Sequence, residues 1–282
     1  ALGLCLSWFP FVGIDWSTAR IPGVLQRIAV VYLVASLAYL HLSARARAWL
    51  AGGLLLGYWL VMTQVPVPGF GAGDLSPEGN LAGFVDRVIL GAHVWRSAPG
   101  PADPEGILST LPAIATALAG IFTGEWLRSA KSQTEKLIGL FVAGSLVATA
   151  GAVFGWFFPI NKNLWTSSYV VLTAGLALLT LAVISCFVDL WGRKGWAGPW
   201  IVFGTNSIAA YVLSGLIARI LIHIRWTGAG GSRVSLKSWL YEHLFASWIP
   251  EYFASLAWAT VHVAVVLAAM WWLYRRKIFI KI

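Results

Sequence analysis

Seven apolar runs decide what this chain can become. They cover residues 22–42, 49–65, 105–127, 136–158, 165–190, 200–222 and 252–274. A helix needs roughly 20 apolar residues to cross the hydrocarbon of a bilayer. Open sheets cannot satisfy their edges in lipid, so such runs become helices. Only 11% of residues are charged, against roughly 25% in an ordinary soluble domain. Mean hydropathy is +0.76. The expectation is an all-α polytopic transmembrane bundle of about seven complete spans, forming one domain over 1–282. Residues 1–11 are apolar but too short to cross, and read as the end of a further helix. Because the chain starts with Ala rather than Met, it is expected to be a C-terminal piece of a longer protein.

The segments between the runs fix an orientation. Arg45, Arg47, Arg128, Lys131, Lys136, Arg193, Lys194, Arg275, Arg276, Lys277 and Lys281 follow alternate spans or the last one, and Glu135 is the one acid among them. The positive-inside rule places these ends in the cytoplasm, with the C-terminus. The opposite side carries the longest loop, 66–104, with Asp74, Glu78, Asp86, Arg87, His93 and Arg96. That loop, and the site mouth with it, is expected outside the cytoplasm, in a bacterial inner membrane. The net charge of +9 is spread over helix ends, so no nucleic-acid partner is expected. Cys5 and Cys186 lie in apolar runs and read as small buried side chains. No ligand spacing for a metal is present. The stretch 223–251 alternates Trp, Leu and charge, as an interfacial helix or hairpin does.

Polar residues interrupt the runs at a few places. Arg20-Ile21-Pro22-Gly23-Val24-Leu25-Gln26-Arg27 opens the first complete span. With Pro22 in the first turn, Arg27 sits roughly 7 Å into the helix. A guanidinium there, beside the Gln26 amide, faces a wet cavity and takes a phosphate or carboxylate, or else it snorkels to the interface. Asp103-Pro104-Glu105 is a helix-start signature. Its carboxylates either cap the third span or hold Arg27 or an amine. Asn161-Lys162-Asn163-Leu164-Trp165 links two spans tightly. It offers amides, an ammonium and a stacking face, or an ordinary belt tryptophan with a snorkelling lysine. Asn206 and Ser207, after Gly204-Thr205, are either binding groups or interhelical glue. Of the five histidines, His93 is the candidate general base. His262 reads as a bonded core side chain, and His41 and His223 as interfacial.

Taken together, these islands resemble the heparan-α-glucosaminide N-acetyltransferase family. The resemblance rests on Arg20–Arg27, on Gly83-Phe-Val-Asp86-Arg-Val-Ile-Leu-Gly91, on Asp103-Pro-Glu-Gly-Ile-Leu108, on Ile160-Asn-Lys-Asn-Leu-Trp165 and on Arg275-Arg-Lys-Ile-Phe279, in that order. It implies a membrane enzyme that passes acetyl from cytosolic acetyl-CoA to the amine of an extracytoplasmic amino sugar. It also implies that the family's catalytic histidine lies before the Arg-Ile-Pro-Gly motif. Residues 1–19 contain no histidine, so none of those present inherits that role.

On this resemblance Arg20, Gln26, Arg27 and Lys162 are candidates for binding the acetyl-CoA phosphates. Asn161, Asn163, Asn206 and Ser207 would donate to the thioester carbonyl or the sugar, and Trp165 would stack on it. Asp103 and Glu105 would take the proton of the acceptor ammonium, with His93 in support. One tension stands: the arginines lie toward the outer side while the donor arrives from within. Either the cavity spans the bilayer or these residues bind the acceptor. The expected partners are the lipid bilayer and the amino sugar, with homo-oligomerisation left open. The alternatives are a transporter or flippase for an anionic or sugar-linked substrate, and a non-catalytic membrane subunit.

Overall fold

The computed structural model describes residues 1–95, 103–227 and 231–280. Arg96 and Lys281 lie outside the described residues. The chain divides into two compact units. The first comprises 1–7 and 14–192, and the second 8–13 and 193–282.

The first unit is built from helices α2 (Val24–His41), α3 (Ala44–Gln64), α5 (Thr110–Arg128), α6 (Gln133–Phe154) and α7 (Ser167–Ser185), with α1 (Leu2–Trp8) before them. A π-helical turn, Cys186–Leu190, extends α7. The loop expected over 66–104 carries structure of its own. A two-residue hairpin, β1 (Pro66–Val67) with β2 (Gly71–Ala72), precedes α4 (Leu81–Leu90). Asn80 starts α4 by accepting the Gly83 N–H at 2.7 Å, as a helix N-cap does. Leu81 and Ala82 then join Tyr58, Met62, Val67, Phe158 and Leu164 in a core between the C-terminal end of α3 and the link from α6 to α7. A second core joins α2 and α5 through Ala35, Ala38, Ile114 and Leu118.

Helices α6 and α7 meet through glycine. A Cβ at Gly151 would run into the backbone of Leu172, and one at Gly175 into that of Ala148. In lipid, where apolar side chains gain nothing by leaving solvent, close backbone approach through small residues is what holds helices together.

The second unit contains α8 (Gly198–Thr205), α9 (Ser207–His223), a hairpin of β3 (Arg225–Thr227) and β4 (Arg233–Ser235), α10 (Leu236–Tyr241) and α11 (Glu251–Arg275). The expected straight span over 200–222 is instead bent by 77° between α8 and α9. Asn206 sits at the break, and its backbone leaves helical geometry there. Val202, Ala210, Val266 and Met270 form the core of this unit. Within 223–251, read as a helix or a hairpin, the chain forms both, the β3–β4 hairpin and α10.

Among the described residues, four helical segments are long and apolar enough to cross a membrane: Val24–His41, Gln133–Phe154, Ser167–Leu190 and Glu251–Arg275. Counting the bent pair as one span makes five. The structure thus supports an all-α membrane protein but not the expected count of seven. The helices α3 and α5 are long, but α3 includes Arg45 and Arg47, and α5 includes Glu125 and Arg128. At most 22% of each crossing stretch is buried by protein, so most of its apolar surface is left to lipid. Cys5, expected inside, is exposed.

Gly175→Leu should force α6 and α7 apart. Overpacking of this kind costs about 3 kcal/mol, and thermal unfolding in detergent should show a lower midpoint than for Gly120→Leu, where a Cβ meets open space.

Candidate functional site

The site forms where the segment before α2 meets the turn before α5. Pro22 and Gly23 are buried and Gly23 is the N-cap, so α2 starts at Val24, two residues after the proline rather than at it. Arg27 N–H donates to Gly23 O at 2.9 Å, closing the first turn. This places Arg20 just before the helix and Arg27 one turn inside it.

Asp103 does not cap α5. That helix begins at Thr110, with Ser109 as N-cap. Residues 103–109 form a separate turn, in which Gly106 N–H donates to Asp103 O at 3.0 Å. Asp103 is buried and receives Arg20 through two bonds, Nε to Oδ2 at 2.8 Å and Nη2 to Oδ1 at 2.6 Å. Its carboxylate also accepts the N–H groups of Trp95 and Glu105, each at 3.0 Å. Arg20 Nη2 donates to Glu105 as well. The Trp95 ring covers the guanidinium at 4.5 Å. Burial opposes the Arg20 charge, but the bonds and fields of Asp103 and Glu105 outweigh it and hold its pKa above the ordinary value.

Arg27 is buried and takes a different set of partners. Its Nη1 donates to Pro104 O at 2.8 Å and its Nη2 to Ser109 O. The Trp165 ring lies 4.5 Å from the guanidinium carbon. The carboxylate offered to Arg27 by the sequence is therefore given to Arg20, and Arg27 is met by backbone carbonyls of the same turn. Gln26 turns back to Ile21 O at 3.1 Å.

Trp165 reaches this position at a conformational cost. Its φ is +52°, in the left-handed region that bulky residues avoid. The link is held by Asn161, whose Oδ1 accepts the N–H groups of Asn163 and Leu164 at 2.8 and 3.3 Å, and by the Thr166 N–H bond to Asn161 O at 3.1 Å. Trp165 Nε1 donates to Thr116 Oγ1 at 3.2 Å. Lys162 and Asn163 are exposed, and neither side chain has a protein partner among the described residues.

His93 supports the same segment. Its Nδ1 lies 2.8 Å from Ala19 O, and its own carbonyl accepts the Ile21 N–H at 3.0 Å. A carbonyl can only accept, so Nδ1 carries the proton and the Nε2 lone pair is left for a base.

A cavity of about 120 Å³ opens here, lined in part by Asn80, Asp103, Ser109, Asn161, Asn163 and Leu164. Asn80 and Ser109 were not legible as site residues. Asn80 reads as a loop asparagine, and Ser109 as an ordinary helix hydroxyl. Asp86 escaped attention too, although it is 1% exposed and bonds the turn through the Ile107 N–H at 2.9 Å.

The other candidate residues fall elsewhere. Asn206 and Ser207 belong to the second unit. Asn206 is buried, donates to Ile278 O at 3.0 Å and accepts the Ile280 N–H at 2.8 Å, so its amide holds the chain that follows α11. His262 pairs with Ser214 Oγ at 2.9 Å, as a bonded core histidine does. At the opposite end of the first unit, Arg47 is buried, bonds Glu125 at 2.7 Å and lies over the Tyr39 ring. No group of three or more potential metal ligands exists among the described residues.

The fold and site define a helical integral membrane protein whose first unit pairs two arginines with one carbonyl- and carboxylate-bearing turn beside a polar cavity. The chain is 32% identical over 249 residues to the human heparan-α-glucosaminide N-acetyltransferase, covering 71% of this chain and 37% of that protein. It is 31% identical over 249 residues to the mouse protein of that name, covering 71% of this chain and 38% of that protein. The chain belongs to the heparan-α-glucosaminide N-acetyltransferase family. It spans little more than a third of the length of these relatives. No family model matches it.

Arg20→Lys keeps the charge but cannot reproduce the paired bonds to Asp103. With a partly exposed guanidinium, the loss should be about 2 kcal/mol. Thermal unfolding should show a lower midpoint than for Lys162→Ala, which touches no partner.

Proposed function

We propose that the protein is a membrane-bound N-acetyltransferase that takes acetyl from acetyl-CoA on the cytosolic side and delivers it to the amine of an extracytoplasmic amino sugar. The observation that carries this reading is the polar cavity beside Arg20, Asp103 and Glu105 in a member of this family. Unengaged donors on Asn161 and Asn163 suit sugar hydroxyls, Trp165 offers a ring face, and the carboxylates suit an ammonium.

In this reading the amine gives up a proton, and the His93 Nε2 lone pair receives it, with Asp103 and Glu105 holding the ammonium beforehand. The amine nitrogen then bonds to the thioester carbonyl carbon, the C–S bond breaks, and the thiolate leaves on CoA. Asn163 and the Asn161 amide donate to the carbonyl oxygen as charge develops. Arg20, Gln26 and Arg27 already bond protein acceptors, so we assign them to shaping the acceptor pocket. Exposed Lys162 is the group at this end left for a phosphate.

We further propose that residues 1–282 act as one membrane domain in a bacterial inner membrane. The Arg45, Arg47, Arg128, Lys131 and Lys136 end would face the cytoplasm, and 66–104 the other side. In that arrangement α3 and α5 cross as well, shielding their charges in pairs such as Arg47 with Glu125. The transporter alternative is favoured by one observation, the bent α8–α9 pair, since interrupted helices mark transport sites. Against it, Asn206 at the break is already occupied by Ile278 and Ile280.

The test is acetyl transfer from acetyl-CoA to glucosamine by the purified protein in liposomes. Turnover that falls about 100-fold or more in His93→Gln, with CoA binding retained, is the expected result. Transport of glucosamine without acetylation would replace this reading with the alternative.

A further inference from the structure

Asp86 is a carboxylate that the reading above leaves without a task. It lies on the inner face of α4, 1% exposed. Its Oδ1 accepts the Ile107 N–H at 2.9 Å, the Asp103 backbone amide also acts on the carboxyl, and Oδ2 is sealed from solvent with no close hydrogen-bond partner among the described residues. A Cβ at Gly106 would collide with this carboxyl group. Asp86 therefore touches the middle of the turn whose ends carry Asp103, for Arg20, and the Ser109 carbonyl, for Arg27.

The groups around it are ionisable. Asp103 and Glu105 stand on the turn, Arg27 comes from α2 and Tyr58 from α3, and Arg87 follows on the same helix, donating to Glu78 O at 3.1 Å. Burial pushes the Asp86 carboxyl up to about 6, with the Asp103 charge adding to it and the Ile107 amide and Arg27 opposing it. Its two states act differently on the turn. Ionised, Asp86 strengthens the bond to Ile107 and adds a negative charge to a cluster of two arginines and two carboxylates. Neutral, it relieves the bare buried oxygen and leaves that cluster balanced.

We propose that Asp86 is a positioning residue whose proton sets the Asp103–Ser109 turn and thereby the strength with which the cavity holds a cationic amine. This rests on the reading of the cavity as an amino-sugar site. Asp86 does not touch the acceptor. It acts through the turn and through its charge.

Two measurements on the purified protein in detergent test it. The first is thermal unfolding from about pH 4.5 to about pH 8. An acid that binds its proton more tightly in the fold stabilises below its ordinary value, and that stability is lost as pH rises through about 6. The wild-type midpoint should fall over this window, whereas the Asp86→Asn midpoint should not. Gly106→Ala, which leaves Asp86 in place but crowds its carboxyl, should shift the window. A window unmoved by either variant overturns the proposal.

The second measurement is equilibrium binding of glucosamine. Wild-type affinity should rise about tenfold from about pH 5 to about pH 7, and Asp86→Asn should show much less. The same pH dependence in both proteins overturns the positioning role. No binding by the wild type at any pH overturns the amino-sugar reading and this role with it. The unfolding measurement still decides, separately, whether the Asp86 proton belongs to the fold.

Discussion

The Arg20 guanidinium reaches Asp103 across 83 residues and ties the entry of α2 to the turn before α5. Everything at that end of the first unit follows from the need to settle two positive charges near the start of a membrane helix. A guanidinium stays charged, so its hydrogen-bond acceptors must come from protein or ligand. One short turn supplies carboxylates to Arg20 and backbone carbonyls to Arg27. That turn is in turn held by α4 through Asp86 and by the segment after α4 through the Trp95 N–H. The cavity lies between these polar ties and the apolar core that contributes Ala82 and Leu164 to its wall.

The opposite end of the same helices solves the same problem differently. Arg47 is buried against Tyr39 and Phe122 and has a single carboxylate, Glu125, for a partner. Tyr39 is twelve residues from Arg27 along α2, so the two clusters are separated by roughly 18 Å of apolar helix. Between them the bundle is held by small residues and by a few polar ties, such as Ser167 Oγ to Leu55 O at 2.6 Å and Tyr58 OH to Leu164 O at 2.6 Å.

The helical class and the positions of the polar islands could be read from the chain because apolar run length is a local property. What could not be read is which island meets which. Asp103 followed by Pro104 has every mark of a helix cap, yet the helix begins at Thr110, because the carboxylate is drawn to Arg20 instead. Asp86 looked like one of several loop acids, since nothing local signals that α4 folds inward and buries it. Trp165 read as a stacking face, but its left-handed backbone depends on the Asn161 turn and could not be foreseen from composition. The span count was legible only in part for a related reason. Apolar length alone does not decide whether α3 and α5, which carry Arg45, Arg47, Glu125 and Arg128, cross with the other helices.

The break at Asn206 has a temporal side. The residues that occupy its amide, Ile278 and Ile280, lie 72 and 74 positions further along the chain. During synthesis α8 and α9 enter the membrane with that amide unanswered, and a polar group without a partner in lipid is unfavourable. The bend between them is therefore provisional until α11 has been made and the segment after it has folded back. The second unit is complete only once the segment after α11 has folded back onto Asn206.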